Sequence, residues 1–239
     1  MKVLIFGASG MVGLGVLREC LVASDVTQVT TLGRSPADIR LFRKDREDAG
    51  FNYAVSNKLR QVVHADMFDY RSIEEQLRGF DACFFCLGVS SLGMREDAYA
   101  RITYDLTMAA AQTLRRLNPE MTFIYVSGAS TDSSEHGKVM WARVKGKTEN
   151  ALMKMGFGRA LMFRPGAMIA MHGVRSKTLA YRLLYPLLGP LLPLARAIRP
   201  DQILTTELIG QAMLEGARRG AREGVLESPD IRKLALRMA

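Results

Sequence analysis

The chain has 239 residues, 48% apolar and 24% charged, the composition of one globular domain with a sizeable core; it excludes disordered, collagen-like and disulfide-scaffold classes. Lys and Arg outnumber Asp and Glu by 33 to 24, a net charge of +9 that favours anionic ligands without naming one. The basic residues are scattered and carry no helix-turn-helix, zinc-finger or RNA-recognition signature, so nucleic acid is not an expected partner.

Along the chain, short apolar runs alternate with helical patterns. The periodicity predicts strands over 2–6, 26–32, 61–64, 82–87, 122–127 and 159–163, and helices over 10–22, 72–77, 96–117 and 138–155. Strands without polar alternation suit burial on both faces, and the βαβ order implies a parallel sheet wrapped by helices. The fold class is therefore α/β, a doubly wound parallel sheet with a small C-terminal lobe. Residues 35–60 are charged and polar with weak periodicity and read as a long surface excursion. After 163–166 the alternation breaks. A Leu-, Pro- and Arg-rich stretch over 174–199 comes first, then a helix capped by Thr205 that runs to about Arg219, a short strand over 225–227 and a last helix. The whole of 1–239 reads as a single domain in which 167–239 supplies a substrate or lid lobe.

Glycines at 7, 10, 13 and 15 break the apolar N-terminus, so it does not read as a signal peptide and the mature protein is expected to start at Met1. Residues 183–195 are uncharged and Leu-rich, but Pro186, Pro190 and Pro193 interrupt them and a span needs about 20 residues. They are expected to cover a substrate pocket or form an association surface, as in a homodimer. Peripheral membrane contact is the second option, because Arg175, Lys177, Arg182, Arg196 and Arg199 surround them. Three cysteines suggest a reducing compartment, and the expected location is the cytoplasm. Cys83 and Cys86 sit in one apolar strand, where residues three apart point to opposite faces. They read as core residues, and no metal site is expected.

The first strand runs directly into Gly7-Ala8-Ser9-Gly10-Met11-Val12-Gly13 and then a helix. Residues without side chains let backbone turn tightly and approach a pyrophosphate, whose charge is held by the helix's exposed N–H groups. Gly7, Ser9, Gly10, Met11, Val12 and Gly13 are the candidate residues. About 20 residues past the glycines, at the end of the second strand, an acid would accept hydrogen bonds from the 2′-hydroxyl of NAD. Arg34 stands there instead. A guanidinium suits a 2′-phosphate, which favours NADP as cofactor; the plainer reading is a solvated loop residue. Asp66 and Met67 follow the third strand, where a carboxylate and the next N–H can read adenine, and Asp66 reads equally as a helix N-cap or a turn residue. Leu87 and Gly88 end the fourth strand and leave the cofactor room. Pro165 completes the set.

Gly7-x-x-Gly10-x-x-Gly13, Cys86-Leu87-Gly88, Val126-Ser127, Val144-Lys145-Gly146-x-x-Glu149 and Arg164-Pro165-Gly166 resemble the atypical branch of the short-chain dehydrogenase/reductase superfamily. The similarity is greatest to the Tat-interacting, oxidoreductase-like family and its bacterial relatives, and it spans 3–166. The resemblance implies a catalytic Ser at the end of strand five and a Tyr-x-x-x-Lys on the next helix. Ser polarises the substrate carbonyl, Tyr exchanges its proton, and Lys binds the nicotinamide ribose and lowers the Tyr pKa. Ser127 and Lys145 match, but Trp141 stands at the Tyr position, and an indole has no group that ionises near neutral pH. Thr103 stands where many extended members carry Asn. Ser130, His136, Tyr181 and Tyr185 are substitute proton donors, each also readable as a solvated or packing residue. Two functions follow. One is an NADP-dependent oxidoreductase on an unknown carbonyl or alcohol, its chemistry weak or rerouted. The other is a protein that binds NADP(H) without turnover as a regulatory or structural ligand, so the sequence leaves open whether the chain is an enzyme.

Overall fold

A computed structural model describes residues 1–42, 49–172, 201–219 and 224–238. Strands β1 (Lys2–Phe6), β2 (Gln28–Gly33), β3 (Leu59–Val63), β4 (Ala82–Phe85), β5 (Thr122–Val126), β6 (Arg159–Arg164) and β9 (Val225–Glu227) form one sheet. Their spatial order is β3-β2-β1-β4-β5-β6-β9, and every pairing is parallel. Strands β7 (Ala167–Ile169) and β8 (Ile203–Thr205) make a separate parallel pair. The chain winds outward from β1 to β3 and then crosses to β4, so β1 and β4 flank the point where direction reverses. Ligands of open α/β sheets bind at the carboxyl ends of strands at that point.

Both faces of the sheet are covered, as uninterrupted apolar strands require. On one face Val3, Ile5, Phe84, Ile124 and Phe163 pack with residues of α1 (Met11–Val22), α6 (Thr206–Arg219) and α7 (Ser228–Ala235). On the other, Leu4, Phe6, Phe85, Phe123 and Tyr125 pack under α4 (Leu106–Leu117) and α5 (Met140–Lys154). The period-2 alternation puts Cys83 in the second cluster and Cys86 against the first, so the two thiols lie on opposite faces. Burying one such Phe or Leu stabilises the fold by roughly 1.5–3 kcal/mol.

The structure differs from the periodicity in three places. The stretch expected to be a surface excursion carries α2 (Ala49–Lys58), and Ala37, Phe42, Phe51, Ala54 and Leu59 are buried. The charges of this stretch cluster at 38–48, while α2 itself carries one, Lys58, and its apolar residues do not gather on one helical side, so no stripe marks it. Residues Arg71–Leu77 wind as a 3₁₀ helix. The long helix expected over 96–117 is α3 (Glu96–Ala100), a π-helical turn (Arg101–Asp105) and then α4. The described C-terminal residues supply the seventh strand and lay α6 along α1. Residues 183–195, Tyr181 and Tyr185 lie outside the described residues. No described helix is long and apolar enough to cross a membrane.

Candidate cofactor cleft

Past β1 the chain turns through Gly7 in the left-handed region, with φ of 76°, a conformation that side chains with a Cβ rarely adopt. A Cβ at Gly7 would also lie 2.6 Å from the Leu87 nitrogen, so the bare backbone lets the loops after β1 and β4 meet. Gly10 N–H donates to the Gly7 carbonyl at 2.9 Å, closing the turn. Helix α1 then starts at Gly10 with no side-chain cap and no acid in its first turn. Its first N–H groups and positive end are left for an anion.

A cleft of about 890 Å³ opens over this turn, lined by Gly7, Ser9, Gly10, Met11, Val12, Arg34, Asp66, Met67, Leu87, Gly88, Ser127, Trp141, Lys145 and Pro165. One concavity thus gathers the candidate cofactor residues together with Ser127, Trp141 and Lys145; Gly13 is the exception among them. That residue is buried beneath the turn, where a Cβ would sit 2.3 Å from the Gly7 carbonyl oxygen; it seats α1 and does not face the cleft. At the β2 and β3 end, Arg34 is exposed. The Asp66 carboxylate accepts the Phe68 N–H at 2.9 Å, so it serves as a turn residue while also lining the cleft. Phe68 was missed from the sequence; it lines the same end, with the Arg101 guanidinium 5.4 Å from its ring centroid.

At the β5 end, α5 presents Trp141 and Lys145 one turn apart, on the same helical side. The Lys145 amine donates to the Ser127 carbonyl oxygen. Burial pulls its pKa down to about 8, against the opposing pull of the Glu149 carboxylate. The Ser127 hydroxyl does not point to the cleft: it donates to Glu149 Oε1 at 2.5 Å and lies 3.1 Å from the Phe163 carbonyl. Glu149 is fully buried, and Arg164 grips it through Nε at 3.1 and 3.2 Å and Nη2 at 2.5 Å. Of the substitute donors, Ser130 and His136 are exposed and neither lines the cleft. Tyr99, also missed, lines it, but is 1% exposed, and burial raises its pKa. Thr103 is buried in the π-helical turn, and its carbonyl accepts the Thr107 hydroxyl at 2.6 Å. Away from the cleft, Glu19, His172 and Glu207 are the only group of potential metal ligands among the described residues, their ligand atoms within 4.8 Å of one another. Arg18 already neutralises Glu19 at 2.6 Å.

No family model matches the chain. Among curated proteins it aligns with Protein FMP52-2, mitochondrial, of Scheffersomyces stipitis at 26% identity over 168 residues, covering 69% of this chain and 65% of that protein. It aligns with Protein HTATIP2 of Rattus norvegicus at 26% over 171 residues, covering 70% and 63%. The chain is a relative of these proteins. The resemblance read from the sequence is borne out, although the match spans just under two thirds of either relative's length. Among solved structures, an oxidoreductase of the short-chain dehydrogenase/reductase family from Burkholderia thailandensis superposes with a TM-score of 0.65 at 17% identity, covering 97% of this chain and 92% of its own. MoeE5 in complex with UDP-glucose and NAD gives 0.66 at 14%, covering 95% and 75%. These likenesses establish the fold. The expectation of a cytoplasmic location is overturned, because the FMP52 relatives are mitochondrial proteins. A cysteine count reports redox conditions, not an address.

Proposed function

We propose that this chain binds a nicotinamide dinucleotide, NADP(H) in preference to NAD(H), and is a short-chain dehydrogenase/reductase-like oxidoreductase with slow chemistry on a carbonyl or alcohol. The observation that carries the reading is the continuous cleft with the uncapped start of α1 at its centre, Arg34 at one end and Lys145 at the other. Its size falls in the range of ligand pockets, roughly 300–1,000 Å³. The cradle fits the group: Gly7, Ser9, Gly10, Met11 and Val12 would hold the diphosphate, with Gly13 seating the helix beneath them. Asp66 and Met67 would meet the adenine, Arg34 the 2′-phosphate, and Lys145 the nicotinamide ribose. Leu87, Gly88 and Pro165 would flank the nicotinamide half, and NAD in the neighbouring fold of MoeE5 supports the assignment. The bound nicotinamide supplies or accepts a hydride. Within 167–239 of this single domain the described residues complete the sheet and pack along α1, and Met168 is the one among them that lines the cleft.

The chain's own residues must then manage a proton, and here they are poorly equipped. Trp141 has no acid, and the Ser127 proton is committed to Glu149. This second fact favours the alternative reading, binding without turnover, over conventional carbonyl reduction. Titrating NADPH and NADH against the protein by nicotinamide fluorescence tests the first step. NADPH is expected to bind more tightly; equal affinities overturn the NADP preference, and no binding of either overturns the cofactor assignment. Consumption of NADPH over a panel of carbonyls then separates the oxidoreductase from the binding protein.

A further inference from the structure

The Lys145-Gly146-x-x-Glu149 and Arg164-Pro165-Gly166 motifs lie on different elements, but the fold closes them into one unit. Gly146 has Asp132's carbonyl against it, Lys145 donates to the Ser127 carbonyl, and Glu149 takes the Ser127 hydroxyl together with Arg164. Arg164 extends the unit to Ser133 at 2.5 Å and to Glu227 of β9 at 3.3 Å. The Pro165 carbonyl accepts the Ala129 N–H at 3.0 Å, and Gly166 N–H donates to Ser228 Oγ at 2.8 Å. Lys145, Glu149, Arg164 and Pro165 are thereby hydrogen-bonded to the loop that follows β5, and Gly146 lies against it.

We infer that Glu149 and Arg164 are the positioning pair of the cleft, which draws the Ser127 hydroxyl inward and balances the charge of the Lys145 amine. Only the part of Lys145 as cofactor holder rests on the function proposed above. A buried ion pair adds little net stability, since apolar residues of like volume often serve as well or better. What this pair does supply is direction. Without the carboxylate, the Ser127 hydroxyl is left with the Phe163 carbonyl, 3.1 Å away, and the Arg164 guanidinium loses its buried anion. Among the described residues the charged group acting on Lys145 is Glu149, one turn along α5, itself paired with Arg164 of β6, and Tyr99 of α3 lines the same cleft. Of these, Glu149 alone holds the amine in its charged form, against the burial that disfavours it.

The test is NMR of the full chain with ¹³Cε-labelled lysine, without cofactor, the Lys145 resonance being assigned by its loss in Lys145→Arg. In Glu149→Gln the Lys145 titration midpoint should fall by about one pH unit, and in Glu149→Asp it should return toward the wild-type value. An unchanged midpoint in folded Glu149→Gln overturns the pairing, because a merely structural carboxylate would alter stability and leave the titration alone. If Glu149→Gln does not fold, the wild-type chain decides. A Ser127 hydroxyl held by a buried carboxylate gives its own slowly exchanging proton resonance, absent in Ser127→Ala, and a hydroxyl in fast exchange with water overturns the inference. The two proposals fail separately. A shifted midpoint in a chain that binds no NADPH leaves the pair standing without the cofactor, and NADPH binding with an unshifted midpoint does the reverse.

Discussion

One added methyl group at Gly146 should destabilise the chain, whereas the same addition at Gly88 should damage ligand binding. A Cβ at 146 would lie 1.8 Å from the Asp132 carbonyl oxygen and 3.2 Å from the Ser133 nitrogen. To restore even a 3.0 Å contact, helix and loop must part by about 1.2 Å. Overpacking of this kind costs about 1–3 kcal/mol. The parting also stretches the Asp132 N–H to Ala142 carbonyl bond, now 3.1 Å, which contributes about 0.5–1.5 kcal/mol. Alanine's better helix propensity returns about 1 kcal/mol. The net is a loss of about 2 kcal/mol, a fall in Tm of roughly 4–8 °C for a chain of this size. A Cβ at Gly88 meets nothing within 4 Å and needs no unusual φ, so its stability should hold to within about 0.5 kcal/mol. Gly88 lines the cleft, however, and Gly88→Ala should weaken NADPH about tenfold or more. Thermal unfolding and NADPH titration of the two variants side by side provide the check. Equal Tm values would refute the reasoning that the loop after β5 is clamped to α5 through Gly146.

Arg34→Glu should erase the preference for NADPH, a loss of about 1.5–3 kcal/mol or ten- to a hundredfold, read by paired NADPH and NADH titrations. Trp141→Tyr would place a phenol four residues before Lys145, and turnover of small carbonyls with NADPH should rise toward the roughly 10²–10⁴-fold that general acid catalysis contributes; unchanged turnover would show that Trp141 is not what limits the chemistry. Lys145 loses its charge as pH rises through about 8, so NADPH affinity should decline across that point, a decline absent in Lys145→Arg. Stability should also drop in alkali. Burial raises the pKa of Cys20, Cys83, Cys86, Tyr70, Tyr99 and Tyr125, so the unfolded chain sheds protons the folded one keeps, the thiols above about pH 8.5 and the phenols above about pH 10. The depressed Lys145 contributes in the opposite direction above about pH 8 but is one group against three thiols. Urea midpoints that rise between pH 8 and 10 would contradict this.

Much of the cleft was legible because it depends on local order. A strand, a glycine turn and a helix must follow one another to hold a diphosphate, and Gly7, Gly10, Met11 and Val12 are where that order puts them. Arg34, Asp66, Leu87 and Gly88 were found by position at strand ends, which a parallel sheet aligns on one edge. Phe68 and Tyr99 were missed because their contribution comes from how loops fold back over that edge, and no spacing encodes it. The buried residues between 37 and 59 were missed because charges cluster at 38–48 and no apolar stripe marks α2.

Ser127 lines the cleft where its position puts it, but position does not give the direction of its hydroxyl. At the end of a central strand it matched the site hydroxyl that the resemblance implies. Its side chain, however, follows the parity of Phe123 and Tyr125, which places it beneath α5 and within 2.5 Å of Glu149. A strand-end hydroxyl is drawn into the core whenever a buried carboxylate waits on that face, because the carboxylate needs donors and the cleft offers only water. Glu149 and Arg164 were visible as letters of two motifs, but their contact spans a helix and a strand, so only the fold reveals that they meet. The same two residues therefore bear on both features of this end of the cleft, the charge that faces Lys145 and the inward turn of the Ser127 hydroxyl.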